Sequence, residues 1–123
     1  MRNVRAKKHL GQHFLNDHSI AEDIVNQLVK KNNKVLEVGP GMGILTQFLY
    51  TKNLDLEVVE IDTESVFYLR LNYPKLKINE GDFLQLDLSI FYKDISIIGN
   101  FPYNISSQIL FKVFNNRDKV TEV

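Results

Sequence analysis

The stretch EVGPGMG, from Glu37 to Gly43, decides the fold of this 123-residue chain. It follows the apolar run Lys34–Val38, which predicts a short strand, and it precedes a helical pattern. Glycines such as Gly39 and Gly41 at a strand-to-helix turn let the backbone turn sharply and let a ligand approach main-chain atoms. A dinucleotide fingerprint requires glycine at position 44, which is Ile44 here. The stretch therefore predicts a turn that binds a nucleotide-like ligand, and it leaves the class of that ligand open.

Outward from this turn, predicted strands and helices alternate. Besides Lys34–Val38, strands are predicted at Leu56–Ile61, Leu76–Asn79 and Ile95–Gly99, with a fifth beginning at Lys119. Helices are predicted at Ile20–Lys30 with Ser19 as N-cap, Ile44–Tyr50, Glu64–Asn72 and Ser106–Phe114, the last with Ile109, Leu110, Val113 and Phe114 on one face. The alternation predicts an α/β fold, a parallel sheet with flanking helices that binds ligands at the carboxyl ends of its strands.

Two further strand ends carry residues suited to an adenosine-like ligand. Glu60 ends the second predicted strand, 19 residues beyond Gly41, where a carboxylate offers acceptors to both hydroxyls of a ribose. Asp62 is interpreted as a solvated carboxylate. Asp82 and Phe83 follow the third strand, where a carboxylate can accept from an adenine amino group and an aromatic ring can cover the base. The order and spacing of these residues favour a cofactor site.

The most specific motif is Asn100-Phe101-Pro102-Tyr103, directly after the fourth predicted strand. Proline cannot donate to a ladder, so it ends the strand and leaves the preceding carbonyl exposed at the sheet edge. An amide side chain beside a free carbonyl gives two acceptors for the hydrogens of an exocyclic amine. Tyr103 adds a face on which a base can stack, worth about 1 to 3 kcal/mol. The motif predicts catalysis on an amino group.

Charge and composition exclude several classes of protein. The chain has 15 Lys plus Arg, 15 Asp plus Glu and no Cys, which rules out disulfides and thiolate metal sites. No metal-ligand cluster is evident, so no metal is expected. Residues 1–16 carry a charge of +4, from Arg2, Arg5, Lys7 and Lys8, and the remainder carries −4. The chain has neither a secretory signal nor an apolar stretch near the roughly 18 residues of a membrane span, so a cytoplasmic, membrane-free protein is expected.

With these motifs assembled, the chain closely resembles the ribosomal RNA adenine dimethyltransferases of the KsgA type. The segment Leu10–Asp17 (LGQHFLND) is similar to that family's motif X, and Gly99–Ser106 (GNFPYNIS) is similar to its motif IV. The family has leucine where this chain has Phe101, which implies little change if the residue acts through its backbone carbonyl. The resemblance implies a Rossmann-like fold that binds S-adenosyl-L-methionine (SAM).

Site residues follow from the resemblance by position. It implies that His13 and Leu15 contact the methionine end of SAM, with Gly39 and Gly41 approaching it through the backbone. It implies that Glu60 holds the ribose and that Asp82 and Phe83 hold the adenine. Asn100 lines both cofactor and target, and Asn100, Phe101, Pro102 and Tyr103 form the catalytic motif. Arg5, Lys7 and Lys8 are the candidate RNA contacts.

The implied reaction is SAM-dependent dimethylation of two adjacent adenines in the 3′-terminal hairpin loop of small-subunit (16S) rRNA, with S-adenosyl-L-homocysteine as the product. The expected partner is the immature small ribosomal subunit, and the enzyme is expected to be a monomer. Members of the family are longer than this chain. Residues 1–16 are therefore interpreted as a basic arm with motif X and residues 17–123 as the N-terminal part of the SAM-binding domain. This domain is expected to be truncated after four to five strands and to be weakly active or inactive alone.

Three alternatives stay open at this point. The nearest is methylation of large-subunit rRNA, as in the related antibiotic-resistance (Erm) methyltransferases. A second is a non-catalytic RNA-binding or ribosome-assembly role. The third is a nicotinamide or flavin oxidoreductase on a similar sheet, which Ile44 and the Asn-Phe-Pro-Tyr motif disfavour.

Overall fold

The computed structural model describes residues 18–30, 33–91, 94–101 and 104–123. The helices are α1 (His18–Val25), α2 (Thr46–Leu49), α3 (Thr63–Asn72) and α4 (Ser106–Asn115). The strands are β1 (Lys34–Val38), β2 (Asp55–Glu60), β3 (Lys77–Glu80), β4 (Ile95–Gly99) and β5 (Val120–Glu122). Two 3₁₀ helices lie between β3 and β4, at Phe83–Gln85 and Leu88–Ile90. The predicted alternation of strands and helices is confirmed.

The five strands form one parallel sheet in the order β3-β2-β1-β4-β5. Lys34 of β1 is level with Asp55 of β2 on one side and with Ile95 of β4 on the other. The chain therefore proceeds outward from β1 through β2 to β3, and then returns to the opposite side of β1 for β4. Parallel sheets of this kind bind ligands where the strand order reverses, outside the carboxyl ends of the strands.

Both faces of the sheet are covered within the described part of the chain. On one face, α1 and α2 pack on a buried cluster, consisting of Ala21, Val25, Leu28, Val35, Leu45, Leu49 and Ile98. On the other face, the 3₁₀ helices and α4 pack on a larger cluster, consisting of Leu36, Val38, Val59, Phe83, Leu88, Phe91, Ile95, Ile97, Ile109 and Val120. Successive residues of β1 alternate between the two clusters, because side chains in a strand point to opposite faces.

The first helix differs most from its prediction. Ser19 is its second residue, not its N-cap, and the helix ends at Val25 instead of Lys30. After Val25 the backbone tightens, with Leu28 N–H donating to the Val25 carbonyl at 3.2 Å. The next two donors, Val29 and Lys30, bind a side chain from β5 and are lost to the helix. The helix shortens because its last donors have a partner outside it.

The predicted apolar face of α4 is wrong in part. Ile109 is buried and Val113 packs against the core, as expected, but Leu110 and Phe114 are 55% and 59% exposed. Phe111 is also exposed.

In the described part of the chain, no helix is both long and apolar enough to cross a membrane.

Candidate functional site

A cavity opens at the carboxyl ends of the first four strands. The lining comes from the ends of β1 and β2, the turn after β3, the second residue after β4, and α4 with its N-cap. These residues are Val38, Gly39, Val59, Glu60, Ile61, Gly81, Asp82, Phe83, Leu84, Phe101, Ile105 and Ile109. The predicted residues Gly39, Glu60, Asp82, Phe83 and Phe101 therefore share one cavity.

The glycine turn presents backbone to this cavity. Gly39 has φ +68°, a backbone conformation that residues with a Cβ rarely adopt. No atom lies within 4 Å of the position that a Cβ on Gly39 would occupy. Its N–H donates to the Val59 carbonyl at 2.9 Å, which continues the β1–β2 ladder by one bond. The turn thus leaves open space above its backbone, as a ligand that approaches main-chain atoms requires.

Glu60 is almost fully buried at the edge of the cavity. One carboxylate oxygen accepts from the Gly41 N–H at 2.7 Å, and the other accepts from the Asp62 N–H at 2.8 Å. Gly41, a predicted cofactor contact, is buried and does not line the cavity. Burial raises the pKa of Glu60, while the two N–H groups oppose that rise. A carboxylate has about four acceptor positions, so these two bonds leave others for a ligand.

Asp62 is not the solvated carboxylate that the sequence interpretation assigned. It is the N-cap of α3, and its carboxylate accepts from both the N–H and the hydroxyl of Ser65, at 3.0 and 2.8 Å. Such a cap satisfies donors that the first helical turn leaves without intrahelical partners. The two acids are therefore separated in role, since Glu60 faces the cavity and Asp62 starts a helix.

Asp82 and Phe83 form one wall of the cavity. The wall begins where Gly81 donates its N–H to the Glu60 carbonyl at 2.8 Å. Asp82 then caps the first 3₁₀ helix by accepting from the Leu84 N–H at 3.0 Å, and the Phe83 ring is only 4% exposed. The pair thus places a half-buried carboxylate beside an aromatic side chain at the cavity, and their contact with an adenine stays a prediction.

Lys112 of α4 holds this wall from the opposite side. Its ammonium donates to the Phe83 carbonyl at 2.6 Å and to the Leu86 carbonyl, and it lies 4.9 Å from the centre of the Phe83 ring. Burial lowers the pKa of Lys112, and the nearby Asp82 and Asp87 partly oppose this. Sequence reasoning missed this residue, although a lysine three positions after the buried Ile109 was a usable signal.

The motif after β4 lies at the far edge of the cavity. Asn100 is half-buried between Gly99 and Phe101, and of these three only Phe101 lines the cavity. A Cβ at Gly99 would lie 2.7 Å from the Phe101 ring and would also collide with the Val38 carbonyl oxygen. Phe101 also borders a second cleft, formed with α1, β4 and β5. Its ring therefore packs at the site, a contribution that the backbone interpretation of this residue left out.

Glu37, the first residue of the glycine stretch, is buried beneath the turn. Its carboxyl accepts from the Thr46 hydroxyl at 2.6 Å, which joins the end of β1 to the start of α2. Burial raises the pKa of Glu37 to about 8, the Thr46 bond opposes the rise, and the charge of Glu60 adds to it. Sequence reasoning gave Glu37 no role, because nothing in the pattern shows which face of the strand a residue occupies beneath a turn.

Several predicted site residues lie outside the described part of the chain. They are Arg5, Lys7, Lys8, His13, Leu15, Pro102 and Tyr103. Among the residues that are described, no group of three or more His, Asp or Glu side chains could hold a metal ion. The candidate site therefore consists of backbone, carboxylates and apolar walls.

Two curated relatives cover almost the whole chain. The Ribosomal RNA small subunit methyltransferase A of Flavobacterium johnsoniae is 55% identical in an alignment of 127 positions, gaps included, that covers 99% of this chain and 49% of the relative. The protein of the same name from Cytophaga hutchinsonii is 54% identical in an alignment of 129 positions that covers 100% of this chain and 50% of the relative. The chain thus spans about half the length of the curated relatives it matches.

Solved structures and a family profile agree with these relatives. The 23S rRNA methyltransferase ErmE is similar with a TM-score of 0.67 and 27% identity, over 78% of this chain and 40% of that one. A dimethyladenosine transferase from Plasmodium falciparum has a TM-score of 0.59 and 25% identity, over 97% and 40%. They confirm the predicted methyltransferase fold. The profile described as Ribosomal RNA adenine dimethylase matches residues 3–123, and the chain therefore belongs to the ribosomal RNA adenine dimethylase family.

Proposed function

We propose that this chain is the cofactor-binding part of a SAM-dependent enzyme that dimethylates two adjacent adenines in the 3′-terminal hairpin loop of small-subunit (16S) rRNA. In this proposal residues 1–16 are a basic arm and residues 17–123 are the N-terminal part of the methyltransferase domain. The observation that carries the proposal is the cavity shared by Gly39, Glu60, Asp82, Phe83 and Phe101. The curated relatives named for small-subunit methylation support the choice of substrate.

The residues present fit an adenosine-containing cofactor. Glu60 has acceptor positions beyond those used by Gly41 and Asp62, which suits ribose hydroxyls. Phe83 and Ile109 line the cavity with apolar side chains that suit a base, and Asp82 supplies an acceptor at the same wall. The open space above Gly39 suits close approach to the backbone. We infer that His13 and Leu15 add contacts to the methionine end of SAM.

Methyl transfer to an adenine amine requires little acid or base catalysis by the protein. When bound, SAM supplies an electrophilic methyl group on a sulfonium sulfur. An adenine amine is a poor nucleophile because its lone pair is delocalised into the ring. The Asn100 side chain and the Phe101 carbonyl accept its two hydrogens, which favours a pyramidal nitrogen and stabilises its growing positive charge. Tyr103 stacks on the base and holds it in line, a proximity effect. Pro102 shapes the turn that presents these groups.

The RNA partner follows from the same reaction. A base must leave its stack to enter such a site, and loops are the cheapest RNA to open. Arg5, Lys7 and Lys8 then contact phosphates beside the site, in a cytoplasmic, monomeric enzyme acting on the immature small subunit. Replacing all three by Gln is expected to weaken RNA binding and to reduce its salt dependence. An unchanged salt slope would contradict the contact.

One observation favours a second candidate. The similarity to the 23S rRNA methyltransferase ErmE, with the TM-score given above, is compatible with methylation of the large subunit. The curated relatives are more similar in sequence to this chain than ErmE is, and they are named for the small subunit. The small-subunit proposal is therefore preferred.

A chimera gives the sharpest test. Residues 1–123 replace the matching half of the Flavobacterium johnsoniae relative, and the chimera is incubated with radiolabelled SAM and unmethylated ribosomal subunits. Label in small-subunit adenine is the expected result, and an Asn100→Ala chimera is expected to lose it while still binding SAM. Label only in the large subunit would support the Erm-like candidate. Binding of the chimera to the small subunit, without transfer of label to either subunit, would support a ribosome-assembly role.

A further inference from the structure

Lys112 has no part in the reaction just described, yet its contacts are concentrated at one wall of the cavity. Its ammonium donates to the carbonyls of Phe83 and Leu86, the first residue of the first 3₁₀ helix and the residue that follows it. It also lies 4.9 Å from the centre of the Phe83 ring, within the range of a cation–π contact. One side chain thus binds both ends of the segment that carries the predicted adenine contacts.

Partial burial of the Lys112 ammonium would be unfavourable without hydrogen-bond acceptors. Lys112 is half-buried on the face of α4 that also carries the buried Ile109, and its ammonium lies against the carbonyls of the first 3₁₀ helix. Ammonium groups placed in this way are usually matched by acceptors, because burying a charge without partners is unfavourable. Here the acceptors are the main-chain carbonyls of Phe83, which begins a short helix, and of Leu86, its C-cap, where a cation interacts favourably.

The contacts also join two walls of the cavity. Asp82 and Phe83 form one wall, and Ile105 and Ile109 contribute another from α4. At its start, the first wall is held by the Gly81 N–H bond to the Glu60 carbonyl. Its other end is held to α4 by Lys112. The distance between the walls, where a flat base would lie, is therefore set in part by this lysine.

We propose that Lys112 is a positioning residue that fixes the Asp82–Phe83 wall against α4 and thereby determines affinity for the adenine of the cofactor. This inference rests on the proposed function, because it assigns the wall to an adenine. Lys112 does not touch the ligand in this arrangement. Its effect is transmitted through the Phe83 carbonyl and ring.

The test compares two lysines in the 123-residue chain. Lys112→Met removes the donors and keeps the apolar stem. Lys119→Met is the matched control, because the Lys119 ammonium also donates to a main-chain carbonyl, that of Phe91 at 2.6 Å, and Phe91 does not line the cavity. Lys112→Arg retains a cation with donors. S-adenosyl-L-homocysteine is titrated into each chain by NMR, which detects weak binding, and amide exchange of Leu84, Gln85 and Leu86 is measured without ligand.

We expect Lys112→Met to raise the dissociation constant by about tenfold and to accelerate exchange of the three amides, since two charge-assisted bonds are lost. Lys119→Met is expected to bind within about twofold of the unsubstituted chain, and Lys112→Arg to recover most of the loss. If Lys112→Met does not fold, the Arg chain and a Lys112→Gln chain are compared, with weaker binding expected for Gln.

The possible failures are distinguishable. Unchanged binding by Lys112→Met, with the ligand still shifting cavity resonances, would overturn the positioning role and leave the proposed function intact. Equal losses in the Lys112 and Lys119 chains would mean a general loss of stability and would also overturn the role. If the unsubstituted chain shows no shifts at Gly39, Glu60 or Phe83 on adding ligand, the proposed function fails and the inference fails with it.

Discussion

Glu37 and Glu60 show how two buried carboxyl groups near the same edge of the sheet differ by their partners. Glu60 accepts from two backbone N–H groups, which favour its charged form. Glu37 accepts from one hydroxyl and is fully desolvated. The two groups repel each other when both are charged, and that repulsion also raises the pKa of Glu37. The pair therefore favours a neutral carboxyl at Glu37, beneath the turn.

The pKa of Glu37 makes stability depend on pH. With a pKa of about 8 in the folded chain against an ordinary value of 4.5, the folded chain holds a proton that the unfolded chain releases between these limits. Stability is therefore lost as pH rises through that window, and the loss is complete above about pH 8. Glu37→Gln removes this dependence and can still accept from Thr46. We expect a gain on the order of 2 to 4 kcal/mol at pH 8 and little below pH 4.5.

Urea unfolding across pH 4 to 9 measures this effect. The exposed Glu22→Gln chain controls for the loss of one negative charge. A Glu37→Gln chain whose stability falls with pH as steeply as that of the parent would show that Glu37 does not carry the dependence.

Gly99 is required for space. A Cβ there would collide with the Val38 carbonyl oxygen and lie 2.7 Å from the Phe101 ring. Gly99→Ala is expected to lower the free energy of unfolding by about 1 to 3 kcal/mol, the usual cost of overpacking. Adding Phe101→Leu should restore only part of that loss, because the backbone collision remains. Full recovery in the double substitution, measured by thermal unfolding, would identify the ring as the sole obstacle.

At the scale of elements, the strands were the most predictable. Both β1 and β4 match their predicted bounds, because each is a short buried apolar run that ends at a glycine or at the residue before one. The ends of α1 and part of the apolar face of α4 were predicted wrongly. In each case a contact between segments distant in sequence contributes: Glu122 accepts from the residues after α1, and Lys112 joins α4 to the first 3₁₀ helix. Local periodicity contains no information on such partners.

The bond between β5 and the end of α1 gives a second pH effect, of opposite sign. Glu122 accepts from the Val29 N–H at 2.8 Å and from the Ser96 hydroxyl at 2.6 Å. Burial tends to raise the pKa of Glu122, but these bonds outweigh it and hold the pKa below its ordinary value. The stabilisation is therefore present above the ordinary pKa and is lost as pH falls through the lowered value.

Glu122→Gln should weaken this connection at neutral pH. The carboxamide retains an acceptor but loses the charge, so we expect a loss of about 1 kcal/mol and faster amide exchange at Val29 and Lys30. Urea unfolding at pH 7 and at pH 3 separates the cause, since the difference from the parent chain should shrink in acid. A difference that is the same at both pH values would contradict the role of the charge.

At the scale of the whole molecule, the exposed side of α4 carries large apolar residues, two of which the sequence pattern assigned to the same face as the buried Ile109. Leu110, Phe111 and Phe114 form an apolar face on the outside of the helix, with the Arg117 guanidinium 4.3 Å from the centre of the Phe114 ring. Exposed apolar patches promote association between molecules.

In the 123-residue chain studied apart from the proposed monomeric enzyme, this face is expected to cause self-association, and polar substitution should reduce it without loss of stability. We expect the Leu110→Gln, Phe111→Lys chain to remain monomeric at protein concentrations where the parent associates, as measured by sedimentation velocity. Its thermal midpoint should stay within a few degrees of the parent, since neither side chain is buried. The buried Ile109→Gln is the contrasting variant and should unfold. Association that persists in the double variant would exclude this face as its cause.

The strand order also dictates when the site can form as the chain folds. The pairing of β1 with β2 joins residues that are close in sequence, such as Lys34 and Asp55. The pairing of β1 with β4 joins residues that are much further apart, such as Lys34 and Ile95. Distant parallel pairings form slowly, because loop-closure entropy must be overcome first. The contact between Tyr50 and Tyr73 should therefore appear early in refolding, and pulsed exchange should show protection of β4 later. The glycine turn and Glu60 would then form before the part of the cavity that follows β4, which consists of Phe101, Ile105 and Ile109.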